Sequence, residues 1–177
     1  YISRSNEEYF IGSDILKKLG ASGIETARWA VVDGQQRLTT LAIFYKVISL
    51  KNSALHNPFD KRFRLDNDEL SIKHSLNDKD AFEKIANLED DVEIPGSDKS
   101  NLIKAYNYFR ENVDVNKINH LDIQARLWFI AIYLEANENE HKIFDTINSL
   151  GMSLNTEELL KNHCFTSASF SEYMSVW

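Results

Sequence analysis

A chain of 177 residues with 43% hydrophobic and 27% charged side chains can bury a core of its own, without the staples that smaller domains need. A single cysteine, Cys164, excludes an internal disulfide and a thiolate cage for zinc. Twenty Lys and Arg against 27 Asp and Glu, a net charge of −7, exclude a generally basic nucleic-acid coat and leave room only for a local basic site.

In chain order, Glu8 to Leu16 mixes β-branched and aromatic residues with Gly12, which predicts a strand with a bulge. Lys17 to Glu25 holds Gly20 and Gly23 and reads as a loop. Arg28 to Val32 is a short apolar run, expected to be a buried strand that stops at Asp33-Gly34. A helix follows, with Leu38, Leu41, Ala42, Tyr45 and Ile48 on one face. Ile43, Phe44, Val47 and Leu50 cover much of its remaining circumference, the pattern of a central helix. Asn57-Pro58 lies in a polar connection, and Phe63-Arg64-Leu65 is expected to be a short strand. Asp78 to Leu88 has helical spacing through Phe82, Ile85 and Leu88, and the acidic run from Glu89 to Gly96 reads as a surface loop. Lys99 to Val113 is a helix, and Arg126 to Leu134 is expected to be a buried strand by its β-branched and aromatic content. A helix from Glu138 to Leu150 stops at Gly151, and another is expected from about Asn155 to Cys164. The balance is α+β and helix-dominated. No apolar run reaches the roughly 20 residues of a membrane helix and no signal peptide is legible, so a cytoplasmic protein away from membranes is expected. The ends, Tyr1 and Trp177, read as those of a piece of something longer.

Chemistry concentrates in Val31-Val32-Asp33-Gly34-Gln35-Gln36-Arg37-Leu38-Thr39-Thr40. A strand that ends in a Gly turn and opens a helix leaves backbone N–H groups unpaired at the positive end of the helix dipole. That is an anion site, to which Arg37 adds a forked donor. Gly34 admits a close ligand, Gln35 or Gln36 can orient water, Thr39 can donate to phosphate, and Asp33 can hold a metal. The same letters also read as a capping box, Asp33 with Gln36, which would explain both residues without a ligand. A second constellation runs from Phe144 to Leu154 and on to Asn162, with Asn148, Gly151, Lys161 and Asn162 as its polar and turn residues. Read blandly, it is a capped αα-hairpin. The five histidines are scattered, so no metal centre is expected from them. Walker A and Gly-x-Gly-x-x-Gly loops are absent.

The segment Asp33-Gly34-Gln35-Gln36-Arg37-Leu38-Thr39-Thr40-Leu41 resembles the DGQQR signature of the GmrSD-type, modification-dependent (type IV) restriction endonucleases, in their N-terminal half. Three further blocks resemble that family in order: Tyr9 to Ser13, Asn101 to Arg110, and Phe144 to Leu154 with Leu160-Lys161-Asn162. The family's usual Asn-Ser-Arg-Gly reads Asn148-Ser149-Leu150-Gly151, and its upstream Ile-Pro-x-x-Gln-Arg-like segment is absent. The resemblance implies a ParB/sulfiredoxin-like core with a small mixed sheet over about residues 1–66, then a helix-rich part over about 78–177 with one strand near 126–134. It implies a nucleotide site lined by Asp33, Gly34, Gln35, Gln36 and Arg37; the helix-start geometry adds Thr39, and Mg²⁺ is expected to accompany a nucleoside triphosphate there. Asp33, Gln36 and Arg37 would act in any hydrolysis, and the second motif has no assigned role.

The expected function is therefore a nucleotide-binding regulatory domain, with NTP hydrolysis left open, of a modification-dependent DNA restriction and phage-defence protein. Its partners would be nucleotide, DNA through the full-length protein, and a nuclease domain in the same or a partner chain; a homo-oligomer stays open. The nuclease domain is not among these 177 residues. Two alternatives remain: a non-enzymatic DNA-recognition module with a local basic surface at Lys61, Arg62 and Arg64, and an interaction domain in which the signature only caps a helix.

Overall fold

The structure, a computed structural model, describes residues 8–19, 28–52, 57–96, 99–118 and 120–149. Its elements are β1 (Tyr9–Lys18), β2 (Trp29–Asp33), α1 (Gln35–Lys51), α2 (Asp60–Phe63), α3 (Leu76–Ala86), α4 (Asn101–Asn112), α5 (His120–Arg126), β3 (Leu127–Leu134) and α6 (Glu140–Ser149). The fold is α+β. The strands form a sheet of order β2-β1-β3, and the chain divides into two compact units.

The larger unit comprises Gly34–Ile130 with the chain up to Gly12. Here α1, α3 and α4 pack on one another. The all-round apolar pattern of α1 is used on two sides. Ile43, Val47 and Ile48 join Ile85, Ile94, Ile103 and Tyr106 in one cluster. Ala42 and Tyr45 join Phe59, Phe82 and Ala86 in another. The acidic loop is surface, but it is pinned. The Tyr106 hydroxyl donates to the Val92 carbonyl at 2.9 Å. The Asn107 side chain takes the Ile94 N–H at 3.1 Å and donates to the Ile94 carbonyl at 2.8 Å.

Of the strand expected at Phe63-Arg64-Leu65, Phe63 is instead the last residue of α2, and only Arg64 makes an isolated β-bridge, to Leu70. Local capping overrides β propensity there. The Asn57 side chain accepts the Asp60 N–H at 3.1 Å, and Phe59 and Phe63 stack one turn apart at 5.4 Å. The short α5 was not legible; its Ile123 is buried while Leu121 is exposed.

The smaller unit comprises Ser13–Asp33 and the chain from Ala131. β1 pairs antiparallel with β2, and the register shifts between Ile15 and Leu16, where Ile15 faces Asp33 but Leu16 faces Val31. The bulged residue is therefore Val32 on β2, facing the Ile15–Leu16 step, and not Gly12 in β1, which only contributes a positive φ of 116°. Ion pairs join Lys17 to Glu140 and Lys18 to Glu135, and the Trp29 and Tyr133 rings meet edge to face at 5.1 Å.

Two expectations of burial fail. β2 is half-buried throughout, and β3 exposes Trp128, Phe129, Ile130 and Tyr133. Composition reports strand propensity, whereas burial depends on what covers each face, and both strands are outer members of the sheet. The helix expected at 155–164 lies outside the described residues. Among the described residues no helix is long and apolar enough to cross a membrane.

Candidate functional site

The helix α1 opens from an unusual N-cap. Gly34 is buried and adopts φ 97°, ψ 0°, a left-handed conformation that a side chain would strain. With Gly34 as N-cap, Gln35, Gln36 and Arg37 occupy the first three helical positions. A capping box needs its acceptor at the N-cap and its glutamine at the third position. Asp33 and Gln36 each stand one place too early, so the expected capping box does not form, and the cap has no side-chain hydrogen bond. The Gln36 amide N–H donates to no group among the described residues, and the Gln35 and Gln36 side chains are exposed.

Arg37 is half-buried, and its guanidinium lies against β1. A Cβ built on Gly12 would sit 3.4 Å from both Cζ and Nη1 of Arg37. A forked cation thus rests close to the strand backbone at the mouth of a helix N-terminus. Two sequence blocks, 9–13 and 33–41, thus meet through one glycine and one arginine.

Thr39 is placed differently from the sequence expectation. It is buried, and its hydroxyl donates to the Gln35 carbonyl at 2.7 Å, as Thr40 does to Gln36. Its only proton is therefore committed inside the helix, not offered to a phosphate. On its other side Thr39 Oγ1 stands 3.4 Å from His74 Nε2. The His74 ring in turn packs at a tilt against Phe82, 4.3 Å between centroids, and burial lowers its pKa while Asp78 opposes that shift. Nothing in the spacing pointed to His74, because its partner is 35 residues away.

Of the second motif, Asn148 lies in α6, and Gly151, Lys161 and Asn162 lie outside the described residues. The alternative basic surface is largely spent. Arg62 donates to the Pro58 carbonyl and to Gln124 and stacks over Tyr45. Arg64 pairs with Asp60 and donates to the carbonyls of Asp68 and Ala86 and to Asn87. Only Lys61 of the three is exposed. Among the described residues no group of three or more His, Cys, Asp or Glu is placed to hold a metal ion.

No curated protein and no solved structure matches the chain. The family model described as the GmrSD restriction endonuclease, N-terminal domain, matches residues 2–165. The chain therefore belongs to that family and is a domain of a restriction-type protein, a class that acts on DNA.

Proposed function

We propose that this chain is a nucleotide-binding regulatory domain of a DNA restriction protein, with the nucleotide phosphates seated at the start of α1. The observation that carries the reading is the arrangement of that helix start. Gly34 caps it without a side chain, the Gln36 amide is unclaimed among the described residues, and Arg37 is held against Gly12 on the same turn. Backbone N–H groups at a helix N-terminus and a guanidinium beside them are complementary to phosphate oxygens.

Gly34, Gln35, Gln36 and Arg37 form the binding set; Thr39 supports it from within. Mg²⁺ would arrive with the triphosphate, and Asp33, the last residue of β2, would meet it directly or through water. Hydrolysis, where it occurs, would use Gln36 to orient water and Arg37 to stabilise developing charge. A ParB/sulfiredoxin-like core, a nuclease domain in the same or a partner chain, and a cytoplasmic setting complete this reading. The competing DNA-recognition surface is disfavoured, because Arg62 and Arg64 are committed to internal partners.

The test is thermal melting of the chain with each of the four NTPs and Mg²⁺, beside Arg37→Ala. A ligand at 100 times its Kd adds about 2.7 kcal/mol to stability. A shift for one nucleotide that vanishes in the variant supports the reading. A shift that persists undiminished in Arg37→Ala, or none with any nucleotide, overturns it.

A further inference from the structure

A cleft of about 560 Å³ opens in the larger unit, between the 64–74 segment and α3. That volume is typical of small-molecule sites. Leu70 and Ile72 give its mostly polar and charged lining an apolar edge, with the buried Phe82 beneath, and His74, its ring tilted against Phe82, adds a polar ring.

Its charges are balanced. Arg64 forms a fixed wall, because its guanidinium is engaged by Asp60, Asn87 and two carbonyls. Lys73 and Lys79 are held only loosely, by Glu69 at 3.4 Å and Glu83 at 4.0 Å, and both pairs are about half exposed or more. Such pairs contribute little to stability, so exchanging them for a ligand's charges costs little. A bare anion would meet the two glutamates, and a bare cation the two lysines. A molecule with one ammonium, one carboxylate and an apolar body satisfies both pairs and the apolar edge together.

The cleft also has a route to α1. Thr39 has given its proton to Gln35, so its oxygen takes a hydrogen bond from His74 when the ring carries its proton on Nε2. Nδ1 is then an acceptor, able to take a hydrogen bond from an ammonium in the cleft. The chain His74, Thr39, Gln35 links such a ligand to the first turn of α1.

We propose that this cleft binds a free amino acid with an apolar side chain, and that its occupancy is transmitted to the start of α1 through His74 and Thr39. The site is separate from the phosphate site, so each reading can fail alone.

The experiment follows the His74 Cε1–Hε1 NMR signal, assigned by its loss in His74→Gln, while L-phenylalanine is titrated into the chain to millimolar concentration. N-acetyl-L-phenylalanine amide, which lacks both charges, serves as control. A saturable shift with L-phenylalanine, absent with the control and weakened about tenfold or more in Lys79→Ala/Glu83→Ala, supports the proposal. The Gln35 amide should shift with it in the wild type and stay still in Thr39→Val. No saturable response, an equal response to the uncharged control, or a response lost in Arg37→Ala would overturn the cleft as the site. A response retained in Arg37→Ala without any nucleotide effect on melting would sink only the phosphate reading.

Discussion

Gly12 and Arg37 are packed so closely that one added methyl group at position 12 would sit 3.4 Å from the centre of the guanidinium. Gly12 also has φ 116°, where an L side chain is strained whatever space it has. Gly12→Ala should therefore cost about 1–3 kcal/mol from backbone strain alone. A smaller part comes from the contact with Arg37. Urea unfolding of Gly12→Ala, Arg37→Ala and the double variant separates the two. Removing Arg37 should recover the contact part and leave the strain. Complete recovery in the double variant would show that the backbone tolerates alanine. On the phosphate reading, Gly12→Ala should also shrink the nucleotide-induced melting shift, although glycine offers the ligand no side chain.

Why this pair was half legible is instructive. The blocks holding Gly12 and Arg37 stand out separately, but spacing says nothing of contact between them. The frame of the cap is hidden for a related reason. Asp33-x-x-Gln36 fits a capping box only if Asp33 is the N-cap, and the left-handed Gly34 takes that place instead. A glycine's φ is not written in its neighbours. The central role of α1 was legible, because an apolar surface on all sides requires cover on all sides, and the two clusters around Ile43 and Ala42 supply it. The exposed β3 was not, since Trp128 and Ile130 have the same strand propensity on an outer strand as on an inner one.

Asn107 should be far more costly to replace than an ordinary helix-surface asparagine. Its carboxamide satisfies both backbone groups of Ile94, a fully buried residue of the acidic loop. Asn107→Leu strands a buried donor and a buried acceptor, at roughly 1–3 kcal/mol each before relaxation. The expected loss is about 2–4 kcal/mol in total, read from the urea midpoint at unchanged m-value. Hydrogen exchange supplies the decisive detail: the Ile94 amide should lose protection in the variant. An Ile94 amide as slow as in the wild type would show that the loop is held by other contacts.

Acid should weaken the larger unit through His74. Burial lowers its folded pKa below the ordinary 6.5, so the unfolded chain takes up the proton first. The stability contributed by the neutral ring is complete above about pH 6.5 and is lost as pH falls through the lower folded value. Asp78 opposes the burial and narrows that window. Between neutral pH and about pH 5, wild type should lose more melting temperature than His74→Gln, which cannot take up the proton. Parallel melting curves for the two proteins would mean that His74 titrates alike folded and unfolded.

Lys46 is a position where a substitution should stabilise. It lies in the middle of α1, is 5% exposed, and holds its ammonium 5.1 Å from the centre of the Phe59 ring. No carboxylate among the described residues comes within ion-pair distance, for nearby Asp60 is engaged by Arg64. Desolvation lowers the Lys46 pKa despite the fields of Asp60 and Glu89, so the site disfavours the charge overall. The cation–π contact returns about 0.5–2 kcal/mol, less than an unpaired buried ammonium forfeits. Lys46→Met keeps the apolar stem and should gain about 1 kcal/mol at neutral pH, a rise of a few degrees in Tm. The gain should narrow as pH climbs toward 10.5, because the folded lysine sheds its proton before the unfolded one does. Tyr106, whose hydroxyl is pushed up to about 12 by burial, loses its own contribution as pH rises from about 10 through about 12, in both proteins alike, and cancels from the difference. A variant less stable than wild type at neutral pH would show that the Phe59 contact outweighs the desolvation.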